Sequence, residues 1–173
     1  MILAIFCLTG CKTVQDSEIL ALQDYYKNLE SLSLNEQIVL EREKNVIIYD
    51  FSHNYTKTLS TFTILEPTDL EGLTVTVKNG DIEFKYDDIV FFADELENTN
   101  ISPLIVMQRV LDSWSGGFVT ESKQTGNQIM LSFNLAIDDN NLSHITYFDK
   151  QTKLPKLTEV MLNNKLVMKT TYA

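Results

Sequence analysis

ILEPTDLEGLTVTVKNGDIEFKYDDIVFF, residues 64–92, is the stretch whose reading decides the fold. Leu73, Val75 and Val77 alternate with Thr74, Thr76 and Lys78. After Asn79-Gly80 the alternation resumes as Ile82, Phe84 and Tyr86 against Glu83 and Lys85. A period of two with one wet face is a β-hairpin, and Asn-Gly supplies two residues that tolerate positive φ in a tight primed turn. The apolar face of that hairpin needs a partner layer.

Working outward, the chain supplies more strands on both sides. Residues 35–42 and 46–55 read as strands joined by a polar turn at residues 43–45, with Val46, Ile47 and Ile48 β-branched in a row. Residues 58–65 continue the meander and Pro67 breaks it; residues 89–92 read as a short strand after Asp87-Asp88. The last third reads as strands at 118–121, 129–137, 142–148, 157–162 and 166–172. Turn clusters separate them at Gly126-Asn127, 138–141, 149–153 and Asn163-Asn164.

Two segments change period. Residues 17–32 place Ile19, Leu22, Tyr26 and Leu29 three and four apart, a helical stripe with Asp16 or Ser17 as N-cap. Residues 103–114 do the same with Leu104, Met107, Val110 and Leu111, opened by Ser102 and Pro103 and stopped by Gly116-Gly117. About ten strands with short connections and two helices predict a mainly β fold: a curved antiparallel sheet forming an unclosed β-barrel covered by helices.

The 173 residues suit one domain with its own core, and 44% hydrophobic with 22% charged residues is the composition of a folded domain. A net charge of -10, with 14 basic residues scattered among 24 acidic ones, argues against nucleic acid, which is bound by neutralising phosphates. Both cysteines, Cys7 and Cys11, precede the folded part, so neither a disulfide framework nor a zinc site is expected there.

MILAIFCLTG, residues 1–10, is apolar and uncharged, and Cys11 is followed at once by polar KTVQDSE. Ten residues are too few for a helix to span a hydrocarbon core, which needs about 20. The segment reads as a processing signal. Leu8-Thr9-Gly10-Cys11 resembles the lipobox of bacterial lipoproteins. That resemblance implies a signal peptide over residues 1–10, lipidation of Cys11 and a tether over residues 11–17. The folded domain would be residues 18–173, held at the cell membrane on the extracytoplasmic side. Two acyl chains on one cysteine hold durably where one holds weakly. No basic residue precedes the apolar stretch, which a longer precursor or an unusually short signal would each explain.

The order of elements resembles the LolA/LolB-like lipoprotein-carrier superfamily, and within it the GerS-like germination lipoproteins of spore-forming Gram-positive bacteria. The likeness is carried by YYKNLESLSLNEQIVL, VIIYDFSHNY, the segment from Phe62 to Ile89, NISPLIVMQRVLDSW and DKQTKLPKLTEV. It implies an apolar concave face under helices. In the carriers that face receives acyl chains of lipoproteins; in the germination lipoprotein the same fold regulates a cell-wall amidase.

The chemistry of an enzyme is missing. No Gly-x-Ser-x-Gly elbow, phosphate loop, paired-histidine metal motif or dinucleotide fingerprint occurs. His53 and His144 are expected at the surface or half buried. Asp138-Asp139-Asn140-Asn141 lacks the glycine and distal glutamate of a calcium loop and reads as a turn. No catalytic residue, metal ligand or cofactor is therefore expected. The reading is a membrane-anchored binding module for a hydrophobic ligand such as lipid or lipoprotein acyl chains. Phe62, Leu73, Val75, Val77, Ile82, Phe84, Tyr86, Ile129, Leu131, Phe133 and Leu135 would line its concavity. The helix bearing Leu104, Met107, Val110 and Leu111 would be its lid. A partly open concavity is expected. If large side chains such as Phe62, Phe84, Phe91, Phe92, Phe133, Tyr147 and Phe148 fill it instead, the alternative is a lipoprotein that binds and regulates a cell-envelope protein.

Overall fold

The computed structural model describes residues 14–41, 45–78, 81–84, 102–137 and 140–173. Helix α1 (Val14–Asn28) leads into β1 (Ser31–Glu41), β2 (Val46–Thr56) and β3 (Leu59–Glu66). A 3-10 turn (Thr68–Leu70) precedes β4 (Thr74–Lys78) and β5 (Asp81–Phe84). Helix α2 (Pro103–Gly116) then separates this half from β6 (Val119–Thr125), β7 (Gln128–Ile137), β8 (Asn140–Asp149), β9 (Pro155–Leu162) and β10 (Lys165–Tyr172). The expected lipidation segment, Tyr86, Phe91, Phe92 and the strand at 89–92 lie outside the described residues, as does the Asn79-Gly80 turn.

All ten strands form one antiparallel sheet in the order β5-β4-β3-β2-β1-β10-β9-β8-β7-β6. Each half of the chain is a meander, and the two are joined where the first strand pairs with the last, Glu36 opposite Tyr172 and Leu40 opposite Met168. β5 and β6 do not pair with each other, so the barrel is unclosed. Register shifts between β2 and β3, β6 and β7, β8 and β9, and β9 and β10 add the local twist that bends such a sheet. Between β9 and β10, Asn163 and Asn164 both take positive φ, 50° and 65°, the backbone of a two-residue primed hairpin.

The strict alternation of burial along β1 shows how the sheet sorts its faces. Leu32, Leu34, Glu36, Ile38 and Leu40 point inward, while Ser31, Ser33, Asn35 and Gln37 face out. α2 lies on the inner face against β4 and β7 and packs on α1. Its start matches the sequence: the Ser102 hydroxyl accepts the Leu104 N–H at 3.3 Å, and Pro103 sits in the first turn. Its end depends on Gly117, where a Cβ would lie 2.6 Å from the Ser113 carbonyl oxygen.

Three expectations need correction. The first helix runs from Val14 to Asn28, so Asp16 and Ser17 lie inside it rather than at its N-cap and it stops short of Leu32; Leu32 lies three residues after Leu29 and mimics a further helical turn, but it is the first inward residue of β1. Tyr147 sits on the outer face, out of phase with the buried His144, Thr146 and Phe148. His53 and His144, expected at the surface or half buried, are both fully buried. Each follows the period of its strand: Tyr49, Phe51 and His53 share one face of β2, and Leu142, His144, Thr146 and Phe148 share one face of β8.

Candidate functional site

The inner face is the one large surface on which the two meanders and both helices converge. Phe62, Leu73, Val75, Val77, Ile129, Leu131, Phe133 and Leu135 are buried there, and Ile82 is partly buried. Phe84 pairs with Val75 through the backbone. From α2, Leu104, Met107, Val110 and Leu111 are buried against this face, joined by Val106, Gln108 and Trp114. The concavity is filled rather than partly open among the described residues. Between the helices and the sheet rim, the gap lined by Tyr26, Leu29, Leu32, Tyr55, Leu111 and Trp114 is about 10 Å³. That is the limit for one water.

Running through this apolar interior is a belt of buried polar side chains that crosses the strands. One arm of it is fully bonded. Tyr172 Oη donates to Thr158 Oγ1 at 2.9 Å, and Thr158 Oγ1 lies 2.9 Å from Thr146 Oγ1. Thr146 Oγ1 lies 3.0 Å from His144 Nδ1 and also accepts the indole N–H of Trp114 at 3.2 Å. His144 Nε2 lies 2.8 Å from Ser113 Oγ, which donates to the Val110 carbonyl at 2.6 Å.

These directions fix the tautomer. Because Ser113 spends its proton on Val110, it accepts from His144, so the imidazole carries its proton on Nε2 and accepts at Nδ1 from Thr146. Burial pushes His144 down to about 3, and the neutral ring is the form this chain of bonds accommodates.

The other arm, on β1 to β3, is not bonded. His53 Nδ1 lies 3.0 Å from Glu36 Oε1 with both side chains fully buried. Neither carboxylate oxygen of Glu36, neither ring nitrogen of His53, nor the hydroxyl of the buried Ser60 makes a hydrogen bond among the described residues. The His53 ring instead stacks on Phe62, its cross-strand neighbour, with centroids 3.9 Å apart. Tyr172 joins the two arms. Burial and, secondarily, the Glu36 charge hold its phenol well above the usual tyrosine range.

The helices are fastened unevenly. Tyr55 Oη donates to Asp112 Oδ1 at 2.8 Å, Ser113 meets His144, and Trp114 meets Thr146. All three ties are in the last turns of α2. Burial raises the Asp112 carboxyl above its ordinary range, opposed by the Tyr55 bond and by Arg109. Nearer the start, the one described polar contact to the sheet is the Thr170 hydroxyl to the Met107 sulfur at 3.3 Å, a weak acceptor. α1 is held by Tyr26 Oη to the Lys153 carbonyl, Gln23 to the Gly117 carbonyl at 2.8 Å and the Glu18–Lys150 ion pair at 2.7 Å.

A groove of about 370 Å³ is lined by the outward residues Asn35, Gln37, Asp50, Leu65 and Thr171, by Ala173, and by Glu36, Phe51 and Tyr172, whose side chains are buried. Val46 and Ile48 of β2, both more than half exposed, are outward residues of the same strand as Asp50, and Leu65 is also exposed. Among the described residues no group of three or more His, Cys, Asp or Glu side chains is placed to hold a metal ion, and no helix is long and apolar enough to cross a membrane.

No family model matches the chain, and no curated protein matches it. Solved structures do. A LolA superfamily protein from Nitrosomonas europaea is 11% identical, with 93% of this chain and 92% of that one covered at a TM-score of 0.46. A DUF1329 family protein from Desulfovibrio piger is 9% identical, covering 92% and 91% at 0.46. A putative outer membrane lipoprotein-sorting protein domain from Vibrio parahaemolyticus is 7% identical, covering 90% and 89% at 0.42.

The Glu36–His53–Ser60 cluster was legible but unread. Glu36 stands in phase with Leu34 and Ile38, and His53 with Phe51, so the period alone placed both inside.

Proposed function

We propose that this protein is a non-enzymatic binding module, held on the extracytoplasmic side of the cell membrane by a lipid on Cys11, that acts on a protein partner of the cell envelope. The observation that carries this reading is the filled inner face. Phe62, Val75, Phe133, Leu104 and Met107 are wholly buried there, whereas an accessible groove reaches the exposed Leu65 as well as Asp50, which is on the same strand as the exposed Ile48. A cell-wall amidase is the class of partner that the resemblance to germination lipoproteins suggests.

Proteins cross-linked to the native protein in its membrane, identified by mass spectrometry, test the reading. A partner recovered with the wild type should be lost with Ile48→Asp/Leu65→Asp at unchanged melting temperature. Equal recovery with both proteins places the contact elsewhere. Cys11→Ala should move the protein from the membrane fraction to the soluble one; retention after a carbonate wash rejects the lipid anchor.

A second reading, a carrier of lipid or acyl chains beneath α2, is favoured by the uneven fastening of that helix. Its last turns are tied to β2 and β8, while among the described residues its first two turns rest on apolar contacts and one weak sulfur bond, the pattern of a lid hinged at one end. A ligand bound only by the folded state raises stability by about 2.7 kcal/mol at a hundredfold excess over Kd. Titration with fatty acids and diacylglyceryl peptides while following the melting temperature decides this reading: no shift with any of them rejects it.

A further inference from the structure

Buried polar groups in native proteins are nearly always hydrogen-bonded, and each exception calls for a reason. Here five atoms without a conventional hydrogen bond among the described residues are concentrated in one patch: Glu36 Oε1 and His53 Nδ1, which face each other at an ion-pair distance of 3.0 Å, and Glu36 Oε2, His53 Nε2 and the Ser60 hydroxyl, which face no polar partner. They belong to neighbouring strands. His53 is opposite Leu34 on β1, two residues from Glu36, and opposite Phe62 on β3, two residues from Ser60, so the three side chains form a diagonal across the inner face. Phe51, Phe62 and Ile38 surround them with fully buried apolar surface. α2 runs over this diagonal, since Met107 touches Thr170 on β10 and Asp112 touches Tyr55 on β2. The patch therefore lies under α2 between Met107 and its tied last turns: Ser60 is directly opposite Tyr55, which bonds Asp112, and Glu36 is opposite Tyr172, which packs on Trp114.

We infer that Glu36, His53 and Ser60 form a receiving site for the hydrogen-bond-donating, uncharged head group of an amphiphile, a hydroxyl above all, whose apolar chain takes the place of the first turns of α2 on the inner face. This rests on the second reading, in which α2 lifts, and goes beyond it by naming the head group. A carboxylate paired with an imidazole supplies acceptors for an incoming O–H, and Ser60 supplies either role. An anionic head would meet the Glu36 carboxylate in an apolar setting and be rejected; a head with no donor would leave the acceptors as they are now.

The test uses the full chain with 1-decanol, its methyl ether and sodium decanoate as probes, each below its aggregation threshold. The readout is the fluorescence of Trp114, the chain's single tryptophan, buried in α2. 1-Decanol should half-saturate at a concentration about tenfold below either of the others, the discrimination expected of a hydrogen bond to a charged group. In Glu36→Leu/His53→Leu the three probes should come within about twofold of one another. Glu36→Gln, which keeps an acceptor and removes the charge, should keep the preference over the ether and admit decanoate. Equal response of the wild type to all three probes, or a preference that survives the double substitution, overturns the head-group site while leaving chain binding intact. No response to any probe overturns the site together with the carrier reading and leaves the partner-binding one standing.

Discussion

The two histidines make the most instructive contrast in the molecule. Both are wholly buried on the inner face, and each stacks on the phenylalanine directly across from it, His53 on Phe62 and His144 on Phe133. His144 has a partner for each ring nitrogen, and its bonds run in one consistent direction from Tyr172 to Val110. Among the described residues, His53 has one polar partner, the Glu36 carboxyl at ion-pair distance, in a cluster with no conventional hydrogen bond. The same residue type in the same kind of niche is thus a structural fastening in one half of the sheet and an unfulfilled polar site in the other. A bonded buried network specifies and rigidifies a core, whereas an unbonded one destabilises it and is kept only where something else requires it.

The widest difference should appear when the unbonded arm is cut in two ways. Glu36→Ala leaves the buried His53 ring without the carboxyl group that faces it at 3.0 Å and should destabilise by about 3–5 kcal/mol. Glu36→Leu/His53→Leu removes both polar groups and should be neutral or stabilising by about 1–4 kcal/mol. Urea denaturation followed by circular dichroism measures both. If the double substitution destabilises as much as the single one, the pair is a structural element and the contrast with His144 collapses.

On the bonded side, Trp114→Ala removes a ring that packs on Tyr26, Phe148 and Tyr172 as well as the donor to Thr146. A loss of about 3–5 kcal/mol is expected in the same denaturation experiment. A loss below 1 kcal/mol, well under that range, would show that α2 is not anchored at this end.

Acid should weaken the bonded arm through His144. The unfolded chain protonates this imidazole near its usual 6.5 and the folded chain only near 3. The unfolded state therefore binds the extra proton between those values. The stability that neutral His144 contributes is complete above about pH 6.5 and is lost as the pH falls toward 3, by about 1.4 kcal/mol per pH unit. Replacing it by His144→Gln should flatten the acid limb of a plot of stability against pH; an unchanged limb would mean that the folded protein protonates His144 readily.

The smallest effect is expected at the hinge of α2. Tyr55→Phe deletes the bond to Asp112 and should lower stability by about 0.5–1.5 kcal/mol. Because Asp112 then loses a bond that favours its charged form, its carboxyl should titrate higher still, which NMR titration of that side chain would report. No change in either quantity would leave Ser113 and Trp114 as the whole fastening.

Most of the local structure was determined by the sequence itself. Alternation in β1, β2 and β7, Ser102-Pro103 before α2 and the Asn163-Asn164 turn each act through neighbours a few residues away, so a period or a dihedral preference suffices to read them. Even the inward placement of Glu36, His53 and His144 was set by strand phase, and only the habit of placing histidines near water obscured it.

What the tertiary structure decided is what lies across from what. Pairing of β1 with β10 brings Glu36 beside Tyr172 from 136 positions along the chain, and nothing in either strand's own pattern selects that partner. The filled concavity likewise depends on how α2 seats between β4 and β7, a matter of summed side-chain volumes against sheet curvature. Hydrogen bonding is decided at the same level. His53 and His144 sit in strands of the same kind, but only the fold places Ser113 and Thr146 around one and leaves the other without a hydrogen-bond partner, because bonding depends on atoms within about 3 Å in space and not on distance along the chain.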